Sequence, residues 1–409
     1  MSGAAPFAVV LPTTTLGGHE LMLLEWLAEA LHQGAAPPTV YGNPGADWTR
    51  RCAALGLPSA PIDPRARRAA RGQLGAALAT WRLLGRLAPT TTLLFAPGVP
   101  QAAPLQWLVA ALRRRRIACY VPMTHSAKTM GQRLPGLRDT LVRALARRVA
   151  LWITIDAAAH DGLRAYWRVG APIHVVPNRR SVGPRAAGHG AVEPARVHAH
   201  SAQRAADYAA GPDDAGAAGP APTPLRLLFA GRFDARQKGL DWLAAWWRVP
   251  VHRAGRHLTL QGRGDFEPAL RRLAADLGAG AVTLRCWGDI APTLGGADVL
   301  LLPSRYEGLP LVALEAIQHG VAVVASRNAG LGALLPAEAL FDLGDAAALH
   351  HALQRLHDPA RRVALVAHAA RRLHRLMPSG VFERAVGGVM ADLTAAAPAC
   401  APAGTATTR

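Results

Sequence analysis

Two glutamates, Glu307 and Glu315, flank the step Gly308-Leu309-Pro310 in the run from Leu302 to Glu315. An apolar stretch ends at Leu302, a turn follows, and Pro310 fits a first helical position, where a missing N–H costs nothing. The helix that follows would turn Leu311, Leu314, Ala316 and Ile317 inward and stop at Gly320. Backbone N–H groups of residues 308 to 312 would then face whatever docks at the helix N-terminus, a natural anion site. Glu307 stands at its mouth and Glu315 about two turns along. Each acid also has a structural reading, Glu307 as a match to the helix dipole and Glu315 as a solvated helix residue. The two together around a strand–turn–helix are harder to explain that way.

Cations suited to an anionic ligand occur upstream. A strand ending Phe229-Ala230-Gly231-Arg232 is followed by Gln237-Lys238-Gly239 and a helix. Arg232 could bind phosphate oxygens through its planar fork and Lys238 as a point charge, stabilising a departing diphosphate as its charge grows. Two solvated surface charges are the alternative. Lys238 and Lys128 are the only lysines in an arginine-rich chain, which adds interest to both. His125, just past the strand ending at Val121, could hydrogen-bond a sugar hydroxyl or shuttle a proton; a structural loop histidine is the other reading. Gly17-Gly18-His19-Glu20 opens the first helix, where paired glycines allow close approach to a ligand, or simply a tight turn capped by Glu20. Gly262-Arg263-Gly264 is not a full dinucleotide fingerprint, and no Walker A motif is present.

The elements that must position these residues alternate between strand and helix. Strands are expected near Phe7–Leu11, Leu93–Phe95, Ile117–Val121, Val149–Ile155 and His174–Val176, with helices at Glu20–Leu31, Leu105–Arg113 and Asp161–Trp167. The rhythm restarts at Leu225–Ala230 and continues through Gly239–Trp247, Leu258–Gln261, Pro268–Leu277, Val282–Cys286 and Val299–Leu302. Such alternation predicts two parallel-sheet α/β domains, with ligands at strand C-termini in a cleft between them. The expected division is an N-terminal domain 1–182, a flexible linker 183–224, a second domain 225–380, a C-terminal helix 381–394 that could cross back to the first domain, and a disordered tail 395–409. His189, His198 and His200 in the linker are not read as a metal cluster, and no metal ligands are expected. Residues 1–180 hold 22 Lys/Arg against 8 Asp/Glu, and residues 225–394 hold 20 against 15. That asymmetry points to an anionic partner surface, although the scarcity of lysine suggests that coding bias inflates the arginine count. The segment Arg67–Arg86 reads either as a basic amphipathic helix able to lie on a membrane or as a core-packed surface helix. Four scattered cysteines, no secretory leader and no apolar run of spanning length suggest a cytoplasmic protein.

In order along the chain, Gly17-Gly18-His19-Glu20, His125, Val176-Pro177-Asn178, Gly231-Arg232, Lys238-Gly239, Gly262-Arg263-Gly264, Asp298–Ser304 and Glu307–Glu315 resemble a retaining glycosyltransferase of family 4, glycosyl transferases group 1. The resemblance implies a GT-B fold, two Rossmann-like domains facing a central cleft. It implies a sugar transferase acting without metal or cofactor, with a UDP- or GDP-sugar as co-substrate. The second domain would hold the donor and the first the acceptor, a glycan or lipid-linked intermediate of cell-surface polysaccharide or glycolipid synthesis at the cytoplasmic face of a membrane. By the same resemblance Glu307 and His125 would be catalytic. Gly18, Arg232, Lys238, Gly308, Leu309, Pro310, Leu311 and Glu315 would bind the donor, Glu315 at the ribose. Gly17, His19 and Lys128 would lie on the acceptor side. Arg179-Arg180 after Asn178 and Asp156 depart from the family pattern. A nucleotide-sugar hydrolase or epimerase on the same fold, and a non-enzymatic binder of anionic surfaces or nucleic acid, are the other readings. No basic–aromatic stacking motif supports nucleic acid as a partner.

Overall fold

The computed structural model describes residues 6–11, 17–42, 46–64, 72–179, 197, 199, 201–203 and 223–395. The linker 183–224 falls almost wholly outside them, as do His198, His200 and His189, residues 67–71 and the tail beyond 395. Its few described residues, 197, 199 and 201–203, are helical. Two of them, Val197 and Ser201, are buried. The chain divides into two compact units, Met1–Val176 with Glu383–Arg409, and Pro177–Phe382.

In the first unit, Phe7–Leu11 (β1), Thr39–Gly42 (β2), Ser59–Pro61 (β3), Thr92–Phe95 (β4), Ile117–Tyr120 (β5), Leu151–Thr154 (β6) and Ile173–Val175 (β7) form one sheet in the order β3-β2-β1-β4-β5-β6-β7. Every pairing is parallel. Parallel strands are covered on both faces, so they read as unbroken apolar runs. The helices Gly72–Leu84, Pro104–Leu112, Pro135–Ala146 and Ala157–Ala165 cover one face around Trp107, Trp152 and Trp167. Trp107 meets Trp152 edge to face at 5.5 Å. Tyr120, which alternation turns to the opposite face, packs on Trp26 of the helix Gly18–His32. The helix Val381–Thr394 joins this unit through His174 to Asp392 at 2.8 Å and Gln33 to the Glu383 carbonyl at 2.9 Å.

The second unit holds Leu225–Arg232 (β8), Arg256–Arg263 (β9), Val282–Cys286 (β10), Val299–Leu302 (β11), Ala322–Ser326 (β12) and Leu340–Phe341 (β13), all parallel, in the order β10-β9-β8-β11-β12-β13. Each sheet reverses its winding once, between β1 and β4 in the first and between β8 and β11 in the second. Such a switch point leaves a crevice beyond the strand C-termini.

Several elements differ from expectation. The helix placed at Asp161–Trp167 begins at Ala157, because the Asp156 carboxylate accepts from the Ala159 N–H at 2.7 Å and caps it. The strands β2, β3 and β13 and the helices Pro135–Ala146, Ala346–Arg355 and Pro359–Leu376 were not expected. Strands of two to four residues leave too few positions to show a pattern.

Two glycines allow the loops of the second unit to stack. Gly239 (φ +64°) lies against the Pro303 carbonyl and Gly330 (φ +70°) against the Gly308 carbonyl, and in each case an added Cβ would land on the carbonyl oxygen. Gly330→Ala is therefore expected to cost more than about 2 kcal/mol, from the left-handed backbone plus the collision. Gly56→Ala, at a similar φ with open space around it, should cost only about 1 kcal/mol. Equal losses in chemical denaturation would show that the close approach does not constrain the fold. In the first unit, Trp107→Ala should remove about 3 to 5 kcal/mol, read from denaturation followed by far-ultraviolet circular dichroism.

Candidate functional site

In the second unit the sequence-predicted groups converge at the C-terminal ends of β8 and β11. Arg232 is the last residue of β8, and Asp234 caps the short turn Ala235–Lys238 by accepting from the Gln237 N–H at 2.9 Å. That turn carries Gln237 and Lys238 towards the loop after β11. Arg232 donates to Gln237 Oε1 at 2.8 Å, and Gln237 Nε2 reaches Glu307 Oε2 at 3.4 Å. Lys238 Nζ forms an ion pair with Glu307 Oε1, and Ser304 Oγ donates to the same oxygen at 3.2 Å. Glu307 is buried. It is neither a first-turn acid nor a solvated one, because the helix starts only at Leu311.

That start corrects one detail. Pro310 is the residue before the first turn and, as a proline, brings no N–H; the donors at this end belong to Gly308, Leu309, Leu311 and Val312. The loop is fixed from outside the helix. Glu307 N–H donates to the Asn328 carbonyl at 3.1 Å, and Asn178 Nδ2 donates to the Leu309 carbonyl at 2.6 Å. Glu315 is only 5 % exposed, which removes its reading as a solvated helix residue. A carboxylate on a buried helix face costs free energy unless something compensates it.

Four contributors escaped the sequence reading as site residues: Gln237, Ser304, Arg305 and Asp241. Arg305 pairs bidentately with Asp241 at 2.7 and 2.8 Å and donates to the Ala235 carbonyl at 2.7 Å. Its own N–H donates to the Gln237 carbonyl at 2.8 Å. Arg305 therefore ties the Lys238 turn to the Glu307 loop. Burial works to raise the Asp241 carboxyl, but the Arg305 fork and the Trp242 N–H hold it below its ordinary value. Burial, with the Asp234 carboxylate, raises the neighbouring Tyr306 phenol. Gln237 and Arg305 lie inside segments whose other members drew attention, but nothing in their spacing shows the cross-links. Gly330 has no sequence signal at all.

In the first unit the candidates fall beyond β1, β4 and β5. Gly17 precedes the helix whose first residue is Gly18. The Gly17 N–H is not open to a ligand, because Glu20 Oε2 accepts from it at 2.7 Å. Of the two readings of this turn, the cap by Glu20 is the one present at Gly17. His19 contacts Glu20 at 3.0 Å, and Gly98 beyond β4 leaves room for its ring. The His125 loop is held by a buried carboxylate: Asp139 accepts from the Ala127 N–H at 3.1 Å and from the Tyr166 hydroxyl. Gln101 Nε2 adds a bond to the His125 carbonyl at 2.8 Å. Burial raises the Asp156 carboxyl; the Ala159 and Ala158 N–H groups and then His125 act against that rise. Lys128 is exposed on the same loop. Among the described residues no cluster of three or more His, Cys, Asp or Glu could hold a metal ion.

Residues 224–358 match the family model described as glycosyl transferases group 1. A lipopolysaccharide core biosynthesis glycosyltransferase of Rhizobium meliloti, LpsE, is 35% identical over 113 residues, 27% of this chain and 32% of the relative. The amylovoran biosynthesis glycosyltransferase AmsK of Erwinia amylovora is 32% identical over 162 residues, 36% of this chain and 40% of its own. The chain thus spans 32% and 40% of the length of these relatives. The structure of Anabaena HepE in complex with UDP-glucose superposes with a TM-score of 0.67 at 14% identity, over 94% of this chain and 99% of that one. The two parallel sheets and this likeness establish a GT-B fold. The stretch that matches the glycosyl transferases group 1 model, residues 224–358, carries Arg232, Lys238, Glu307 and Glu315.

Proposed function

We propose that the protein is a retaining, metal-independent glycosyltransferase of family 4 that moves a sugar from a nucleotide diphosphate sugar to an acceptor. The observation that carries this reading is the chain of contacts from Arg232 through Gln237 to Glu307 and Lys238 at the switch point of the second sheet. Two cations and a helix N-terminus meet there, as a diphosphate requires. A buried acid lies beside them for a sugar hydroxyl. Glu315 takes the ribose hydroxyls in this reading. The relatives named for lipopolysaccharide core and amylovoran synthesis support a cell-surface glycan as product, and the UDP-glucose complex of HepE supports a uridine nucleotide donor.

In the reaction the bond between the anomeric carbon and the diphosphate oxygen breaks. The acceptor hydroxyl forms a new bond to that carbon from the same face, and its proton passes to the departing diphosphate. Arg232 and Lys238 stabilise the charge that grows on the leaving group. Lys238 must exchange Glu307 for phosphate oxygens, which frees the carboxylate for the donor sugar. His125, on its pinned loop, orients the acceptor or sugar hydroxyl. The acceptor is lipid-linked in this reading and is met at the cytoplasmic face of a membrane. Among the described residues no helix is long and apolar enough to cross one.

Thermal-shift measurements with UDP-, GDP- and ADP-sugars should single out one nucleotide, with about 2.7 kcal/mol of stabilisation at about 100 times its Kd. No stabilisation by any of them would remove the donor assignment. Lys238→Ala and Glu307→Gln should each lower kcat/KM about 10² to 10³-fold, and their double variant should fall short of the product of the two losses, because the side chains form one unit. Independent, fully multiplying effects would show that the ion pair is not part of the site. Release of free sugar at the full rate without acceptor would identify a hydrolase instead.

A further inference from the structure

The outer surface of the first unit carries an apolar cluster that its interior does not use. On the helix Gly72–Leu84, Leu74 and Leu78 are 80 % and 51 % exposed and Trp81 is 41 % exposed. Spacings of four and three residues place them on one helical face. The neighbouring helix Pro104–Leu112 adds Leu108 and Leu112, the latter 66 % exposed. The two helices are joined at this surface by Arg113, whose guanidinium lies 3.7 Å from the centre of the Trp81 ring. The opposite faces of both helices are occupied, because Ala79, Leu83, Trp107 and Ala110 fill the core. The exposed leucines are thus in addition to a complete core.

The charge around the cluster is predominantly positive. Residues 72–150 contain 12 Lys/Arg and a single acid, Asp139. Asp139 is buried and engaged with the Ala127 N–H and Tyr166, so it contributes little negative charge to the surface. Arg113 and Arg114 are exposed directly beside Leu112. A patch of leucine and tryptophan rimmed by arginine, whose described neighbouring acid Asp63 is buried and paired with Arg82, matches a bilayer surface in which anionic headgroups lie above an apolar layer. An acidic protein would meet the charge, but it would leave the protruding leucines without an apolar layer to enter.

We infer that the face formed by Leu74, Leu78, Trp81, Leu108 and Leu112 with Arg113 docks this protein on an anionic phospholipid bilayer. The inference rests on the proposed use of a lipid-linked acceptor, which it supplies with a defined contact surface. The leucines and the tryptophan enter the level of the acyl-chain boundary and the arginines engage phosphate groups. The helix Gly72–Leu84 therefore combines the two readings of its sequence: one side packs on the core and the other is left for lipid.

The test is co-sedimentation of the full chain with vesicles of phosphatidylcholine, alone or mixed with phosphatidylglycerol. The wild type should bind the anionic vesicles at least about tenfold more strongly than the neutral ones, and salt should weaken that binding. Leu74→Glu/Leu112→Glu should reduce binding at least about tenfold. Val251→Glu/Leu376→Glu, an equal change in charge at exposed apolar sites of the second unit, should retain it. Leu74→Ser/Leu112→Ser should show an intermediate loss, and circular dichroism melting checks that every variant is folded. Equal losses in the two glutamate variants, or equal binding to neutral and anionic vesicles, would overturn the proposal. So would a solution dimer abolished by Leu74→Glu/Leu112→Glu, which would assign the face to a second copy, or tighter binding to duplex DNA than to vesicles. Nucleotide-sugar binding separates the two readings. Leu74→Glu/Leu112→Glu should bind donor as the wild type does, whereas Lys238→Ala should lose donor and keep the vesicles.

Discussion

At the C-terminal edge of the second sheet, Gly239 lies against the Pro303 carbonyl and Gly330 against the Gly308 carbonyl, so three loops share a space that no Cβ could enter. The positions of Lys238 and Glu307 depend on this approach, because each sits one or two residues from a pinched glycine contact. Arg305 reinforces it by bonding to both carbonyls and the carboxylate of the 235–241 segment. The Ser326 hydroxyl closes the arrangement on the Ser304 carbonyl. The candidate site is held by backbone, which explains how a short strand such as β11 can present a buried acid without a long supporting element.

The pair of Lys238 and Glu307 carries the electrostatics. Two charges taken out of water lose solvation that their mutual attraction only partly returns, and additional hydrogen bonds must make up the difference. Here Ser304 and Gln237 provide them. The result is a cation and a carboxylate held against each other in a fixed geometry. In the proposed function a ligand with two phosphates replaces Glu307 as the partner of Lys238. The same exchange frees the acid for a hydroxyl. Preorganisation and release are then consequences of one contact.

The first unit uses its charges differently. Its one carboxylate between residues 72 and 150, Asp139, is turned inward to hold the His125 loop, while its arginines remain outside. A single burial choice therefore serves two ends: it fixes a candidate acceptor-side loop and leaves residues 72–150 without an acid at the surface. The apolar residues on that layer are not excess core, since the tryptophans beneath already fill the sheet face.

The sequence alone was enough to recognise two parallel-sheet domains, because buried parallel strands are apolar throughout and leave strong local patterns. The run from Glu307 to Glu315 and the cations Arg232 and Lys238 were also legible, since a helix start preceded by glycine and flanked by acids has a local signature. Short strands such as β13 and the helix cap at Asp156 were not, for want of enough residues to show a period. What only the tertiary structure decided is which of these groups touch. Gln237 and Arg305 look like ordinary polar residues in the chain, and Gly330 like an ordinary turn glycine. Their roles come from segments about 70 residues apart, or about 20 in the case of Gly330 and Gly308, brought together by strand order. Local spacing carries no information about such contacts, so sequence could name the charged groups but not the backbone contacts that hold them in place.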